Sequence, residues 1–336
     1  MEYAYSLSGL LTNEVQNGVI LSRTYDTFTR PTGYALETGG AGGSPADNGS
    51  SVIYSYDNLG RFASVASGIN VFTYTQLPGT DLVTGYSCGP FRRAVTYEPH
   101  RDLVATVTNA FGDRLISAFD YVNDAAGRRI SRRDTRENEV VENVFGYNLR
   151  SELTSARMGT NSYDYAYDPI GNREWTTLNG VTNTYAANPL NQYTSLLCAS
   201  APLRYFQYDA DGNMTADERG WHYVWNGENR MVCASNAEVV VTYAYDHRGR
   251  MVKKGIVRSN GDSQSIAYLW DDWNIIREIL TTNDYSRATY NVWGLDIDGT
   301  LQGAGGVGGL LSVVRGGEAF LPTYDASGRC CVAPLA

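Results

Sequence analysis

Two carboxylates stand two residues apart in the run Asp296-Ile297-Asp298-Gly299-Thr300. At that spacing a first carboxylate can attack phosphorus while the second relays the proton. The chemistry also needs a buried parallel strand before the motif, a helix after it, and later a lysine and acidic Mg²⁺ ligands. Beyond Thr300 the chain has no lysine, and its only acids are Glu318 and Asp325. Directly afterwards, Gly303-Ala304-Gly305-Gly306-Val307-Gly308 has the glycine spacing of a dinucleotide-phosphate loop. Such a loop works where a strand ends and a helix opens, with an acid about 20 residues on. Gly308-Gly309 is a poor helix start, so these glycines are expected to allow close backbone approach or a sharp bend.

Other groups were weighed in the same way. Asp209, Asp211, Asn213, Thr215 and Asp217 alternate like the oxygen ligands of a calcium loop, but Met214 stands where the sharp-turn glycine belongs. His100, His222 and His247 are isolated, with no serine, cysteine and aspartate arrangement around them. Cys88, Cys198, Cys233, Cys330 and Cys331 are odd in number and lack CxxC spacing, which argues against both a zinc site and a disulfide framework. Asn48-Gly49-Ser50 and Asn213-Met214-Thr215 fit glycosylation sequons, which matter only in a eukaryotic secretory pathway. No metal, cofactor or catalytic residue is assigned.

The elements that must hold these groups are repeats. The pattern is aromatic, any residue, aromatic, Asp or Asn, two residues, then Gly or Asn, then Arg or Asn. Tyr54-Ser55-Tyr56-Asp57 with Gly60-Arg61 and Tyr165-Ala166-Tyr167-Asp168 with Gly171-Asn172 are clear copies. So are Phe206-Gln207-Tyr208-Asp209 with Gly212-Asn213, Tyr223-Val224-Trp225-Asn226 with Asn229-Arg230, and Tyr243-Ala244-Tyr245-Asp246 with Gly249-Arg250. Weaker copies are Phe119-Asp120-Tyr121 leading to Gly127-Arg128, Phe145-Gly146-Tyr147-Asn148, Tyr185 with Asn188 and Asn191, Trp270-Asp271, and Tyr324-Asp325 with Gly328-Arg329. Aromatics at i and i+2 share one face of a strand. Asp or Asn then accepts backbone N–H groups and opens a turn, and Gly supplies the left-handed conformation. Each repeat of about 20 residues therefore predicts one β-hairpin, stabilised by aromatic neighbours in the next.

Composition sets the outer bounds. The chain has 336 residues, 25 of them tyrosine and 35 glycine, with 19% charged residues and a formal net charge of −9. Arg128-Arg129 and Arg132-Arg133 are the nearest approach to a basic stretch. Nucleic acid and anionic membranes are therefore not expected as partners, and no membrane insertion is expected. No apolar stretch reaches about 18 residues, so no helical membrane span is expected.

The tandem Tyr-Asp units, above all residues 163–250, resemble the YD repeats of bacterial RHS-repeat proteins, teneurins and insecticidal toxin complexes. Val292-Trp293-Gly294-Leu295-Asp296 and the stretch Leu301 to Leu311 are similar to a segment near the end of the shell in many RHS proteins. The resemblance implies an all-β fold of hairpins in a long curved or spiralling antiparallel sheet, part of a hollow shell. It implies a non-catalytic role in encapsulating and delivering a C-terminal toxin or effector, secreted or at the bacterial cell surface. The implied partner is that effector or the remaining shell. Residues 1–336 are expected to stop short of the family's associated core and self-cleavage site, so no cleavage residue is carried over.

On this reading residues 1–329 form the shell, with a flexible loop at 39–50 and an irregular stretch at 75–100. Residues 330–336 are a disordered or truncated tail. Two alternatives stand beside it. One is a surface module binding carbohydrate through its aromatic ladder. The other is a remote phosphatase of the haloacid-dehalogenase type, acting through Asp296 and Asp298.

Overall fold

The computed structural model describes residues 2–38, 49–137, 139–198, 203–217 and 219–331. Among the described residues there is no helix. The strands sort into a 19-stranded and an 11-stranded sheet. Strands pair antiparallel with their sequence neighbours within a sheet, as where Ser51–Tyr56 pairs with Phe62–Ser67 and that strand with Asn70–Gln76, and the sheets part between Arg204–Tyr205 and Gln207–Tyr208. The fold is therefore the all-β array of tandem hairpins that the repeat predicts.

Two kinds of turn recur. The first is tight, as at Asn17-Gly18, where both residues have positive φ (50° and 76°). That conformation matches the right-handed twist of the strands it joins. The second is wider. In it Asp57 N–H donates to Arg61 O at 2.8 Å and Gly60 N–H to Asp57 O at 2.9 Å. Its register slips between Ser55 and Tyr56, a β-bulge just before the aspartate. The same slip recurs at Ala166/Tyr167, Gln207/Tyr208 and Ala244/Tyr245. Bulges bend and twist a sheet locally, so each repeat carries its own source of curvature.

The chain divides into two compact units. The first comprises Met1–Phe119, Ile266–Thr281 and Tyr285–Ala336. Its core joins Leu21, Tyr54, Val65, Phe72 and Phe91 from the early strands to Leu269, Ile276, Val292 and Leu311 from the late ones. Alternation explains the choice: in Ser51–Tyr56 only Val52 and Tyr54 are buried. The aromatic rungs Tyr54, Phe62, Tyr74, Tyr86 and Phe91 follow one another at 5.4–6.0 Å between ring centres. The second unit, Asp120–Ser265 with Thr282–Asp284, buries fewer side chains. Its strands Arg173–Leu178 and Val181–Ala187 have no buried side chain.

Three sequence expectations are corrected or bounded. The stretch 75–100 is regular, with strands Val83–Cys88 and Phe91–Tyr97 in register. Its prolines lie in turns, where a missing N–H costs nothing. The wide turns there close one residue later, from Leu77 N–H to Leu82 O and from Glu98 N–H to Leu103 O. Of the expected loop, residues 39–48 lie outside the described residues, while Gly49 N–H donates to Ser67 Oγ at 3.0 Å. Of the expected tail, residues 332–336 lie outside the described residues. Cys330 bridges to Tyr324, and Cys331 is buried against Thr323, so both belong to the fold.

Candidate functional site

The residue types that recur at the wide turns are held by one device. Asp57 Oδ1 accepts the N–H of Leu59 at 2.9 Å and of Arg61 at 2.8 Å, and Oδ2 accepts Arg61 Nε at 2.7 Å. Asp26 with Arg30, Asp124 with Arg128 and Asp246 with Arg250 repeat it. At Asp168 and Asp209 the side-chain donor is the amide of Asn172 or Asn213, at 2.9 and 3.0 Å. Where Asn replaces Asp, the partner four residues on becomes an acceptor. Asn148 Nδ2 donates to Glu152 Oε2 at 2.6 Å, and Asn188 Nδ2 to Gln192 Oε1 at 2.8 Å. Asn226 faces Arg230, a donor against a donor, and there the guanidinium turns to Glu228 instead.

Gly60, Gly171, Gly212 and Gly249 occupy the left-handed position, with φ between 82° and 95°. Thr29, Ser151, Asn191 and Asn229 hold the same position in their copies without a glycine. The second aromatic of each repeat ties it to the previous one. Tyr56 Oη donates to Pro31 O at 2.9 Å, and Tyr167, Tyr208 and Tyr245 donate to Leu153, Tyr193 and Met231. Trp225 Nε1 does the same to Met214 O at 2.7 Å. The guanidinium of Arg30 lies 4.2 Å over the Tyr56 ring and reaches Gly60 O, so one repeat's arginine keys the next repeat's tyrosine and turn.

Burial alone would raise the Asp57 carboxyl. The N–H groups of Arg61 and Leu59 and the Arg61 guanidinium outweigh it and hold the group below the usual carboxylate range. At Asp124 the Arg128 guanidinium is the largest cause of the same downward shift. These carboxylates are ion-paired and hydrogen-bonded within their own turns. The hydroxyls of Tyr56, Tyr167, Tyr208 and Tyr245 meet backbone carbonyls of the preceding hairpin and not a ligand surface.

The Asp296 run is a wide turn of the same backbone form, with Asp296 N–H to Thr300 O at 2.7 Å and Gly299 N–H to Asp296 O at 3.0 Å. Its carboxylate has been redirected. Oδ2 accepts the N–H groups of Ala304 (2.7 Å) and Gly306 (3.1 Å), which pins the glycine loop. Gln302 fastens the loop at its other side, donating to Asp271 O and accepting Trp273 N–H. Burial raises the Asp296 carboxyl and its neighbour Asp298 adds to the shift, while Asp298 itself is lowered. The first carboxylate is buried and satisfied, no helix follows it, and the glycine loop opens no helix either. Neither phosphoryl attack nor a dinucleotide cradle has its supporting elements here.

Elsewhere the structure separates what the sequence aligned. Asp209 Oδ1 is spent on Asp211 and Asn213 N–H, and Asp217 Oδ1 on Arg219 and Trp221 N–H in a turn of its own. Two weaker copies shift. The turn after Tyr121 is opened by Asp124, and Asp271 ends its strand as the partner of Arg23 at 2.7 Å instead of opening a wide turn. Sequence reasoning placed Arg or Asn at the fourth position but assigned it no role; the switch from Asp with Arg or Asn to Asn with Glu or Gln was the signal that it pairs with the turn's first residue.

The profile of the teneurin YD-shell family matches residues 9–300. No curated protein matches the chain. Among solved structures, a TcdB2–TccC3–Cdc42 crystal structure is 14% identical over 88% of this chain, with a TM-score of 0.40. A Tc holotoxin pore from Photorhabdus luminescens with a TccC3 mutation is 12% identical over 98%, with a TM-score of 0.39. TcdB2–TccC3–TEV is 13% identical over 98%, with a TM-score of 0.38. This chain spans 21–23% of those chains. With its hairpins, keyed turns and the match over most of its length, the chain belongs to the teneurin YD-shell family.

Proposed function

We propose that this chain is a non-catalytic stretch of shell wall that, with the rest of its shell, encloses and delivers a C-terminal effector, secreted or at the surface of a bacterium. One observation carries the reading: the chemistry-bearing side chains of the repeat are consumed in building turns and joining each hairpin to the next. A wall needs that property, and a catalytic or sugar-binding surface would need the opposite. The test is limited proteolysis of the chain expressed with the remainder of the shell and the C-terminal segment. The segment should survive while the shell is intact and be cut once the Asp57, Asp124 and Asp246 turns are broken by alanine. Equal cleavage with and without the shell residues would overturn the proposal.

A further inference from the structure

One trough in the first unit is left unexplained by wall-building. It holds about 510 Å³ and lies on one face of the strands Asn274–Thr282, Ser286–Trp293 and Leu310–Arg315, with all of its lining in that unit. Ligand pockets span roughly 300–1,000 Å³. Alternation sets Arg287, Thr289, Asn291 and Trp293 along it in a row, one every ~7 Å. Across the ladder Thr289 stands opposite both Glu278 and Arg315, Asn291 opposite Val313, and Trp293 opposite Leu310.

The middle of the trough is fixed in place. Asn291 is only 5% exposed. Its Nδ2 donates to Ile275 O at 3.0 Å and to Glu278 Oε1 at 3.3 Å, and Trp293 Nε1 donates to the same Ile275 O at 2.7 Å. Amide and indole are thus clamped side by side on one carbonyl. With both amide protons spent, Asn291 Oδ1 is an acceptor that meets no donor among the described residues. The two ends differ. At one, Trp293, Leu310 and Val313 offer apolar surface. At the other stand the exposed guanidiniums of Arg287 and Arg315, 5.9 and 5.3 Å over the Tyr285 and Phe320 rings and without a carboxylate partner among the described residues. Turn arginines such as Arg61 and Arg250 are spent on their own aspartates, and these two are not. Glu278 is the single acid in the lining.

Cations at one end, an unmet acceptor in the middle and apolar surface at the other match the groups that end a polypeptide: a carboxylate, the N–H beside it and an apolar side chain. A fatty acid would answer both ends but leave Asn291 Oδ1 without a donor. We propose that this trough binds the C-terminal carboxylate of a peptide ending in an apolar residue. Arg287 and Arg315 hold the carboxylate, Asn291 Oδ1 accepts the peptide N–H, and Trp293 lies under the side chain. The proposal is independent of the shell reading.

Calorimetric titration of the full chain with acetyl-Gly-Gly-Leu tests it. One saturable site is expected, with affinity roughly tenfold lower for the C-terminal amide, which brings no charge to the guanidiniums. Arg287→Gln/Arg315→Gln, whose side chains are exposed and outside any ion pair, should lose a similar factor at an unchanged melting temperature. Glu278→Gln keeps the oxygen that Asn291 uses, removes the opposing charge and should tighten binding. An ester oxygen in place of the last N–H should weaken binding several-fold, and octanoate should bind more weakly than the peptide. Absence of saturable binding, equal affinity for the amide or the ester, octanoate binding as tightly as the peptide, or affinity unchanged in the arginine variant overturns it.

Discussion

At the scale of residues, the wide turn is a matched pair of side chains four positions apart. An Asp takes a donor and an Asn takes an acceptor, because a carboxylate only accepts while an amide can present its NH₂. The pair is worth most where water is excluded. Asp246 and Arg250 are 2% and 0% exposed, against 27% and 24% for Asp57 and Arg61. Asp246→Ala should therefore destabilise the protein by about 3 kcal/mol by stranding a buried guanidinium, and Asp57→Ala should lower the melting temperature by much less. The pairing rule has its own test. Asn148→Asp places a carboxylate against Glu152 and should cost about 1 kcal/mol, and adding Glu152→Arg should restore most of it; calorimetric melts of both variants check this. The aspartates at 26, 57, 124, 168, 209 and 246 are all held below the usual carboxylate range. The folded state then binds fewer protons than the unfolded chain, so their stabilisation is present above pH ~4 and is lost as pH falls through the folded-state values. Asp271 and Asp296, whose carboxyls are raised, oppose this and are outnumbered. The melting temperature should fall steadily below pH ~4; a melt unchanged down to pH ~2 would contradict the turn electrostatics.

At the scale of elements, a hairpin is legible in one chain because its information is local. Tyr167-Asp168 and Gly171 announce a turn within a handful of residues, and alternation in Ser51–Tyr56 announces which face is buried. The Asp296 turn was legible as a turn for the same reason. Its partners at Ala304 and Gly306 were not, since nothing local says where a redirected carboxylate will point. Nor was the tyrosine hydroxyl's bond to a carbonyl in the preceding hairpin, because the carbonyl belongs to any residue type. Glycine at 294 has a reason of this non-local kind. A Cβ there would lie 2.1 Å from Tyr74 Oη and 2.7 Å from Leu311 Cδ1. Gly294→Ala should therefore cost about 1–3 kcal/mol by overpacking, visible in chemical denaturation, while Gly261→Ala tests only the positive φ, having open space around it.

At the scale of the whole molecule, the two units differ in how they are held. The first closes over long sequence distances. Gln16 both donates to Trp270 O and accepts Trp270 N–H, and Arg23 joins Glu14 to Asp271. No pattern within a repeat announces that meeting, so the repeats alone gave a row of hairpins and the curved sheet came only from the family resemblance. The second unit relies on neighbour-to-neighbour pairing with little buried apolar surface, as in solenoids whose stability is a sum of local terms. Hydrogen exchange should reflect this: amides of Phe62–Ser67 and Asn70–Gln76 should exchange roughly tenfold more slowly than those of Arg173–Leu178 and Val181–Ala187. The matched turn pair also constrains how such a chain can change. A crossover inside a strand joins two intact turns and is silent. A crossover inside a turn can set Asn against Arg, as at Asn226 and Arg230, or carboxylate against carboxylate. The turn thus acts as a parity check on which two half-turns can be joined at no loss of stability.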